Sequence, residues 1–522
     1  MSKKKNYIFL LFLFSFSIFC ALIIGQAWDE AFHLKHGQVT LDYLFSFGKK
    51  NEYVSFRENY SAIYWSFLYL VTEVFPSKYQ IEVSHLVNLF FSIGVIFGIY
   101  KVTKQLFNKK VGKIVFLILF FYPIFFGHMA INSKDTILAF CHVWIFYLIL
   151  KYLQKQQIRE KANKYIILLG LISAIGTGIQ LVFFGSVLPI VLFALVEIFL
   201  LKKIINNNFS MKLFLFDLIK CFLIFYISLV IFWIDAHQNI LLGPFLIIQK
   251  LISENYLTGW PFNLVAGTYY LTTEVPKSYF MINFIYKSPE YFLLTYLIFI
   301  FLIIKFHVFF VNKFKFFNIK LFFIIFLFFF PSIILFISPF AVYDGVRLFI
   351  WVMPYLCIIP GLTIYYLIEN FSHLISKITL SILSISIIYF LFNFFMITPY
   401  QYTYLNFLNG KPENRYQKFE NDYWATSIKE LVNNTQFDST KLIKISVCGM
   451  EEYILEKYLQ KKGYINFKFV SSDESEYKFL TNRITFDDNN NPITCFDKFK
   501  GNIFSKVERN GLILSQVKRT KL

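Results

Sequence analysis

Three short polar clusters interrupt an otherwise apolar chain, and each combines a carboxylate with groups that can hold a proton, a phosphate or a sugar hydroxyl. Asp29-Glu30 follows the first apolar run, with His33 four residues after Asp29. The stretch GHMAINSKD at 127–135 carries His128, Asn132, Lys134 and Asp135, and YDGVR at 343–347 carries Tyr343, Asp344 and Arg347. A partly desolvated carboxylate can take the proton of an attacking hydroxyl, which is the work of a general base; Asp29 or Glu30 fits that role. Lysine binds phosphate as a point charge and arginine forks onto two phosphate oxygens, so Lys134 and Arg347 suit a departing phosphate. His128 and Asn132 can donate hydrogen bonds to a sugar or a phosphate. Each feature also has a plainer reading: acids are common where helices leave a membrane, Asp135 suits capping of the helix it begins, and Arg347 suits snorkelling to an interface.

The elements that would position these clusters are membrane helices. Of 522 residues, 57% are hydrophobic and 69 are phenylalanine, well above the roughly 45–50% apolar content of soluble domains. The excess falls in blocks of about 20 residues, the length that crosses a hydrocarbon core. The first, Tyr7–Ile24, follows Lys3-Lys4-Lys5 and is longer than the apolar core of a signal peptide, about 7–15 residues; it reads as a first spanning helix with the N-terminus in the cytoplasm. Further spans are expected near 83–100, 114–126, 136–150, 165–181, 183–201, 213–234, 291–311, 321–338, 348–368 and 378–397, giving about eleven in all. GTGIQ at 176–180 reads either as a tight turn or as an irregularity within one helix. Within the long loop 28–82, Tyr43–Phe47 and Ile63–Val74 suit helices lying in the interface.

The net charge of +19 maps onto this topology. The segments 2–5, 101–113, 151–164, 202–212, 305–320 and 369–377 hold 21 Lys/Arg and only Glu160 and Glu369 as acids, whereas 28–82 holds seven acids and five bases. That is the asymmetry of a positive-inside membrane protein, and bases scattered through membrane loops do not build the single basic face of a nucleic-acid binder. Parity places 28–82, 127–135, 235–290, 339–347 and 398–522 outside the cytoplasm. A lone Asp29/His33 pair leaves a divalent metal open, and no CxxC or Cys/His metal spacing appears. The chain divides into a membrane part, 1–397, with outer loops 28–82 and 235–290, and a C-terminal part, 398–522. The latter shows β-type runs at Leu442–Val447 and Phe467–Val470 around a helical 451–463, as in a small α/β domain. If it is outside, Cys448 and Cys495 are free to form a disulfide; Cys20, Cys141, Cys221 and Cys357 read as buried hydrophobes.

Several of these stretches resemble the C-type-fold membrane glycosyltransferases, in the group that contains protein O-mannosyltransferases and the lipid A aminoarabinose transferase. An acidic pair follows the first helix, as Asp29-Glu30 does; GHMAINSKD is similar to a loop ending Asn-Pro-Lys-Asp, with Ser133 in place of proline. YDGVRLFIWVMPY at 343–355, PYQYTYLNFLNG at 399–410 and ENDYWATSIKEL at 420–431 resemble later stretches in the same order. The resemblance implies a polyprenyl-phosphate sugar donor, Asp29 as base, Asp135 in support, and a hydroxyl or amine of a protein, lipid or polysaccharide as acceptor. It implies a plasma-membrane or inner-membrane enzyme acting at the outer face. A transporter or lipid flippase, the alternative class, would call for paired mid-helix charges and repeat symmetry, and the charges here cluster at helix ends.

Overall fold

The computed structural model describes residues 3–201, 209–253, 260–337, 340–438 and 441–520. Helices dominate up to Met396. The first, α1 (Lys3–Ile23), leads through a short turn into α2 (Glu30–Phe45) and α3 (Ile63–Glu73), the two helices of the first long loop. Then follow α4 (Gln80–Leu106), α5 (Lys109–Phe120), α6 (Pro123–His128), α7 (Asp135–Lys155), α8 (Arg159–Ile179), α9 (Phe183–Val196) and α10 (Met211–Ile231). After α11 (Gly243–Ser253), the hairpin β1 (Phe262–Val265) and β2 (Thr268–Leu271), and α12 (Tyr279–Lys287), the bundle closes with α13 (Glu290–Lys313), α14 (Phe317–Ile337), α15 (Met353–Leu356), α16 (Ile358–Glu369) and α17 (Leu374–Met396).

Among the described residues, nine helices are long and apolar enough to cross a membrane; the apolar part of α1, Tyr7–Ile23, is shorter. The protein is an integral membrane protein. Two expectations are refined. A turn does separate two helices, but at 180–182: Gly176–Ile179 stay in α8, which ends at Ile179, and α9 begins at Phe183. The run 114–126 is not one helix. α5 stops at Phe120, Tyr122 is extended (φ −72°, ψ 112°), and α6 restarts with Pro123 in its first turn. Proline pushes its predecessor out of the helical region but fits a first helical position, so the chain breaks there and turns α6 across the end of the bundle. Parts of the expected loops, 202–208 and 254–259, lie outside the described residues.

The C-terminal region begins with short turns and α18 (Ile428–Asn434), then builds a five-stranded sheet in the order β4-β3-β5-β9-β8 from β3 (Ile443–Cys448), β4 (Phe467–Phe469), β5 (Tyr477–Thr481), β8 (Asn502–Arg509) and β9 (Leu512–Arg519). A separate pair, β6 (Ile484–Phe486) and β7 (Pro492–Thr494), leads into the single-turn α20 (Cys495–Lys498). β3 runs parallel to β4 and β5, with α19 (Glu452–Lys461) as the β3–β4 crossover, and β9 runs antiparallel to β5 and β8. Ile445, Phe479, Leu514 and Val517 are fully buried, and the central strand β5 is buried along its whole length, covered on both faces. Cys448 and Cys495 form a disulfide.

The sheet region sits on the end of the bundle where α1 gives way to α2. Lys429 reaches the Leu22 carbonyl (3.0 Å), the Tyr458 hydroxyl accepts from the Gln26 amide (2.7 Å), and Lys457 donates to the Gln26 side chain (3.0 Å). Gly127 allows a matching approach on α6: a side chain there would collide with the Tyr402 backbone nitrogen, 2.1 Å from an added Cβ. The lysine-rich segments gather elsewhere, where Lys110 and Lys313 both meet Glu369.

Candidate active site

The three polar clusters meet around Arg347. Its guanidinium lies 2.8 Å from Asp344, 3.4 Å from Asp135 and 3.8 Å from Asp29, so one buried cation draws carboxylates from three separate elements. The indole of Trp424 and the ring of Tyr343 each stack on it, both 4.9 Å from ring centroid to guanidinium carbon. Several carboxylates around one buried arginine satisfy the cost of burying each charge only as a set.

Asp344 reaches Arg347 from a tight turn. Asp344 and Gly345 adopt consecutive left-handed conformations (φ 58° and 67°), a geometry that aspartate tolerates better than most residues and glycine adopts freely. A side chain at position 345 would also strike the Lys287 ammonium.

The two neighbouring acids after α1 behave differently. Asp29 occupies the N-cap of α2, yet its carboxylate makes no capping hydrogen bond, and its side chain is 40% exposed. Glu30 turns inward, 1% exposed, where it accepts from the Ala27 amide (2.7 Å) and pairs with His85 (3.0 Å). Of the pair, only Asp29 presents a carboxylate toward both Arg347 and solvent.

The 127–135 stretch is an internally bonded turn. Asn132 Oδ1 accepts from the Asp135 amide (2.7 Å) and the Lys134 amide (3.1 Å), an Asx-type turn that takes over the capping expected of Asp135. Asn132 Nδ2 donates to Asp135 Oδ2 (3.0 Å), and Asp135 Oδ1 is buried without a partner. His128 is fully buried and bonded to the Tyr423 hydroxyl (2.7 Å), so His128 and Asn132 hold neighbouring protein groups; burial depresses the His128 pKa well below its ordinary value. Lys134 donates to the Tyr60 hydroxyl (3.2 Å) and lies 5.0 Å from that ring. Burial opposes its charge, but Tyr60, Tyr343 and Asp135 hold its pKa above that of free lysine. His33 stacks on Trp65 at 4.3 Å and bonds Ser133 Oγ at 2.7 Å through Nδ1. Among the described residues no group of three His, Cys, Asp or Glu could hold a metal ion.

Residues 63–233 match the family model described as dolichyl-phosphate-mannose-protein mannosyltransferase. Over the whole chain the architecture matches ArnT from Cupriavidus metallidurans in the apo state, with 10% identity, 99% of this chain and 98% of that chain covered, and a TM-score of 0.51. The chain has the C-type membrane glycosyltransferase fold. Looser likenesses are ArnT from the same organism bound to undecaprenyl phosphate (11% identity, 99% and 98% covered, TM-score 0.49) and an Archaeoglobus fulgidus oligosaccharyltransferase in the apo form (10% identity, 92% and 70% covered, TM-score 0.46). No curated protein matches the sequence.

Within this C-type fold, Ser133 joins two elements: its hydroxyl meets His33 and its carbonyl accepts from Trp65 Nε1 (3.1 Å), tying the turn to α2 and α3. Four further residues at this centre lack an obvious signal in the sequence. Arg483, from the turn after β5, binds Asp344 directly and lies 3.4 Å from Glu420. Burial raises the Glu420 pKa to about 7 against the pull of Arg483, and burial lowers that of Lys287 to about 8. Tyr60, which holds Lys134, completes the set. Glu420 lay in the ENDYW stretch used for the family resemblance; Arg483 sits in an ordinary-looking RITF strand sequence.

Proposed function

We propose that this protein transfers a sugar from a polyprenyl-phosphate donor to an acceptor hydroxyl, by a single inverting displacement at the non-cytoplasmic face of the membrane. The observation that carries the reading is the Arg347 centre, where Asp29, Asp135 and Asp344 converge beside Lys134. In this mechanism Asp29 accepts the acceptor's proton and the freed oxygen attacks the anomeric carbon. The bond from that carbon to the phosphate oxygen breaks, and polyprenyl phosphate leaves as an anion facing Lys134 and Arg347. Removing one preorganised donor from such a charge-stabilising pair typically costs about 3 kcal/mol of transition-state stabilisation. Asp135 and Asp344 hold Arg347 in place.

Two further features support the reading. The family matched over 63–233 is described by a dolichyl-phosphate-linked sugar donor. An apolar cavity of about 400 Å³ lies between α7, α8, α9 and α10, lined by residues such as Ile149, Thr177, Phe183, Val191 and Phe222. Its Thr177 end adjoins Gly178, whose carbonyl binds the Ser61 amide (3.0 Å), next to the Tyr60 that holds Lys134. A prenyl tail could lie there with its phosphate at Lys134. The positive-inside charge pattern orients the N-terminus to the cytoplasm and the C-terminal region to the other side. The test is transfer from labelled polyprenyl-phosphate sugars by the purified full chain: Asp29→Asn abolishes it while the protein stays folded, and undiminished transfer by that variant removes Asp29 from the mechanism.

A further inference from the structure

A closed circuit of contacts surrounds the Arg347 centre, and two tryptophans complete it. Asp29 meets Arg347, Arg347 meets Asp344, and Asp344 meets Arg483. The Arg483 guanidinium lies 4.2 Å over the ring of Trp260, and Trp260 packs edge-to-face on Trp28 at 5.7 Å. Trp28 is bonded through the chain to Asp29, which returns the circuit to its start. The bundle, the loop before the β1–β2 hairpin and the C-terminal region each supply a part.

Both indoles are half-buried, neither sealed in a core nor spread on the surface. Trp260 Nε1 is buried and has no hydrogen-bond partner among the described residues. Buried indole N–H groups ordinarily find one, and a group that does not is commonly served by water or a ligand. Trp28 has no aromatic contact except Trp260 among the described residues; its carbonyl is fixed by the Tyr453 hydroxyl (3.2 Å). The wall is therefore positioned from outside, by Arg483 and Tyr453, while an indole N–H remains to be used.

A pyranose matches this combination. Its ring has a C–H face that packs on an indole and an edge of hydroxyls that accept from an N–H. The acids around the wall each face a guanidinium, Asp344 and Glu420 that of Arg483 and Asp29 that of Arg347, so an ammonium group meets no carboxylate there without a counter-cation. We propose that Trp28 and Trp260 form the sugar-recognising wall of the donor site, with Trp260 Nε1 donating to a hydroxyl of a neutral pyranose. This rests on the reading of the protein as a polyprenyl-phosphate-sugar transferase and names the class of sugar.

The test uses the purified full chain with a panel of polyprenyl-phosphate sugars (neutral hexoses and an amino sugar) and, separately, sugar-free polyprenyl phosphate as a competitive inhibitor. Trp260→Phe keeps an aromatic ring and removes the N–H; one lost hydrogen bond corresponds to about a 3- to 10-fold rise in donor KM. Trp28→Ala and Trp260→Ala raise it further. All three leave inhibition by the sugar-free lipid within about twofold, because Lys134 and Arg347 are untouched. An unchanged donor KM in Trp260→Phe, an equal loss of affinity for the sugar-free lipid, or preference for the amino sugar overturns the proposal while wild-type transfer leaves the transferase reading standing. If the wild-type protein transfers none of the sugars, both readings fall together.

Discussion

Arg347 and Arg483 bind opposite oxygens of one carboxylate, that of Asp344. Arg347 belongs to the membrane bundle and Arg483 to the C-terminal region, so the two parts of the chain share the charge at the centre of the site. The C-terminal region is therefore built into the end that carries the candidate site.

Removing Arg483 tests that link. Breaking a buried ion pair by deleting one partner typically costs about 3–5 kcal/mol, and here it removes the guanidinium that faces both Asp344 and Glu420. Arg483→Ala should lower thermal stability and cut transfer by more than an order of magnitude, read by melting in detergent and by turnover. Arg483→Lys should recover little, because a point charge cannot serve Asp344 and stack on Trp260 as a planar guanidinium does. Wild-type turnover in Arg483→Ala would detach the C-terminal region from the site.

Glu30 and Asp29 should separate cleanly. Glu30→Ala leaves the Ala27 amide and His85 without their acceptor, a loss of about 1–3 kcal/mol in stability. Its kcat, measured on the folded fraction, should fall far less than that of Asp29→Asn, while Asp29→Asn should melt close to wild type because its part-exposed carboxylate caps nothing and stands 3.8 Å from Arg347, beyond hydrogen-bond reach.

Glu420 predicts a pH signature. Its folded pKa of about 7 is raised above the unfolded value by burial, with Arg483 opposing. The folded state then binds more protons than the unfolded state between the two pKa values, so this group's contribution to stability is greatest below the unfolded pKa and is lost as pH rises toward 7. Thermal melts from pH 4.5 to 7.5 should show wild type losing stability relative to Glu420→Gln across that window; parallel profiles would contradict the assignment.

The disulfide holds the segment that carries Arg483. The Cys495 amide donates to the Arg483 carbonyl (2.8 Å), and Cys495 is bonded to Cys448 at the end of β3. Reduction, or Cys448→Ser with Cys495→Ser, should lower transfer several-fold and destabilise the C-terminal region by about 2–4 kcal/mol. Limited proteolysis should then cut within 441–520 while the bundle resists.

The spans and the three charged clusters were legible because hydropathy and the isolation of charge in an apolar chain are local signals. α19 and strands β3 and β4 were legible for the same reason, through periodicity. The break at Tyr122–Pro123 is hidden from hydropathy because the apolar run continues through it, and only the proline marks it. Asn132, three residues before Asp135, suits an Asx turn as well as a substrate contact, and the structure shows the turn. Glu420 stands out only through the stretch at 420–431, and Arg483 and Lys287 not at all: charges are unremarkable in polar segments, and only the tertiary fold lays them against a membrane bundle. The choice between Asp29 and Glu30 likewise needed His85, 55 residues away, to show which carboxylate was already engaged.

The most direct measurement compares initial rates of transfer from a labelled polyprenyl-phosphate sugar by wild type, Asp29→Asn and Glu30→Gln, each purified and verified as folded. The account predicts a loss of at least about 100-fold for Asp29→Asn, the scale of general-base catalysis, with Glu30→Gln retaining most of the activity. Full activity in Asp29→Asn, or a greater loss in Glu30→Gln, would contradict it.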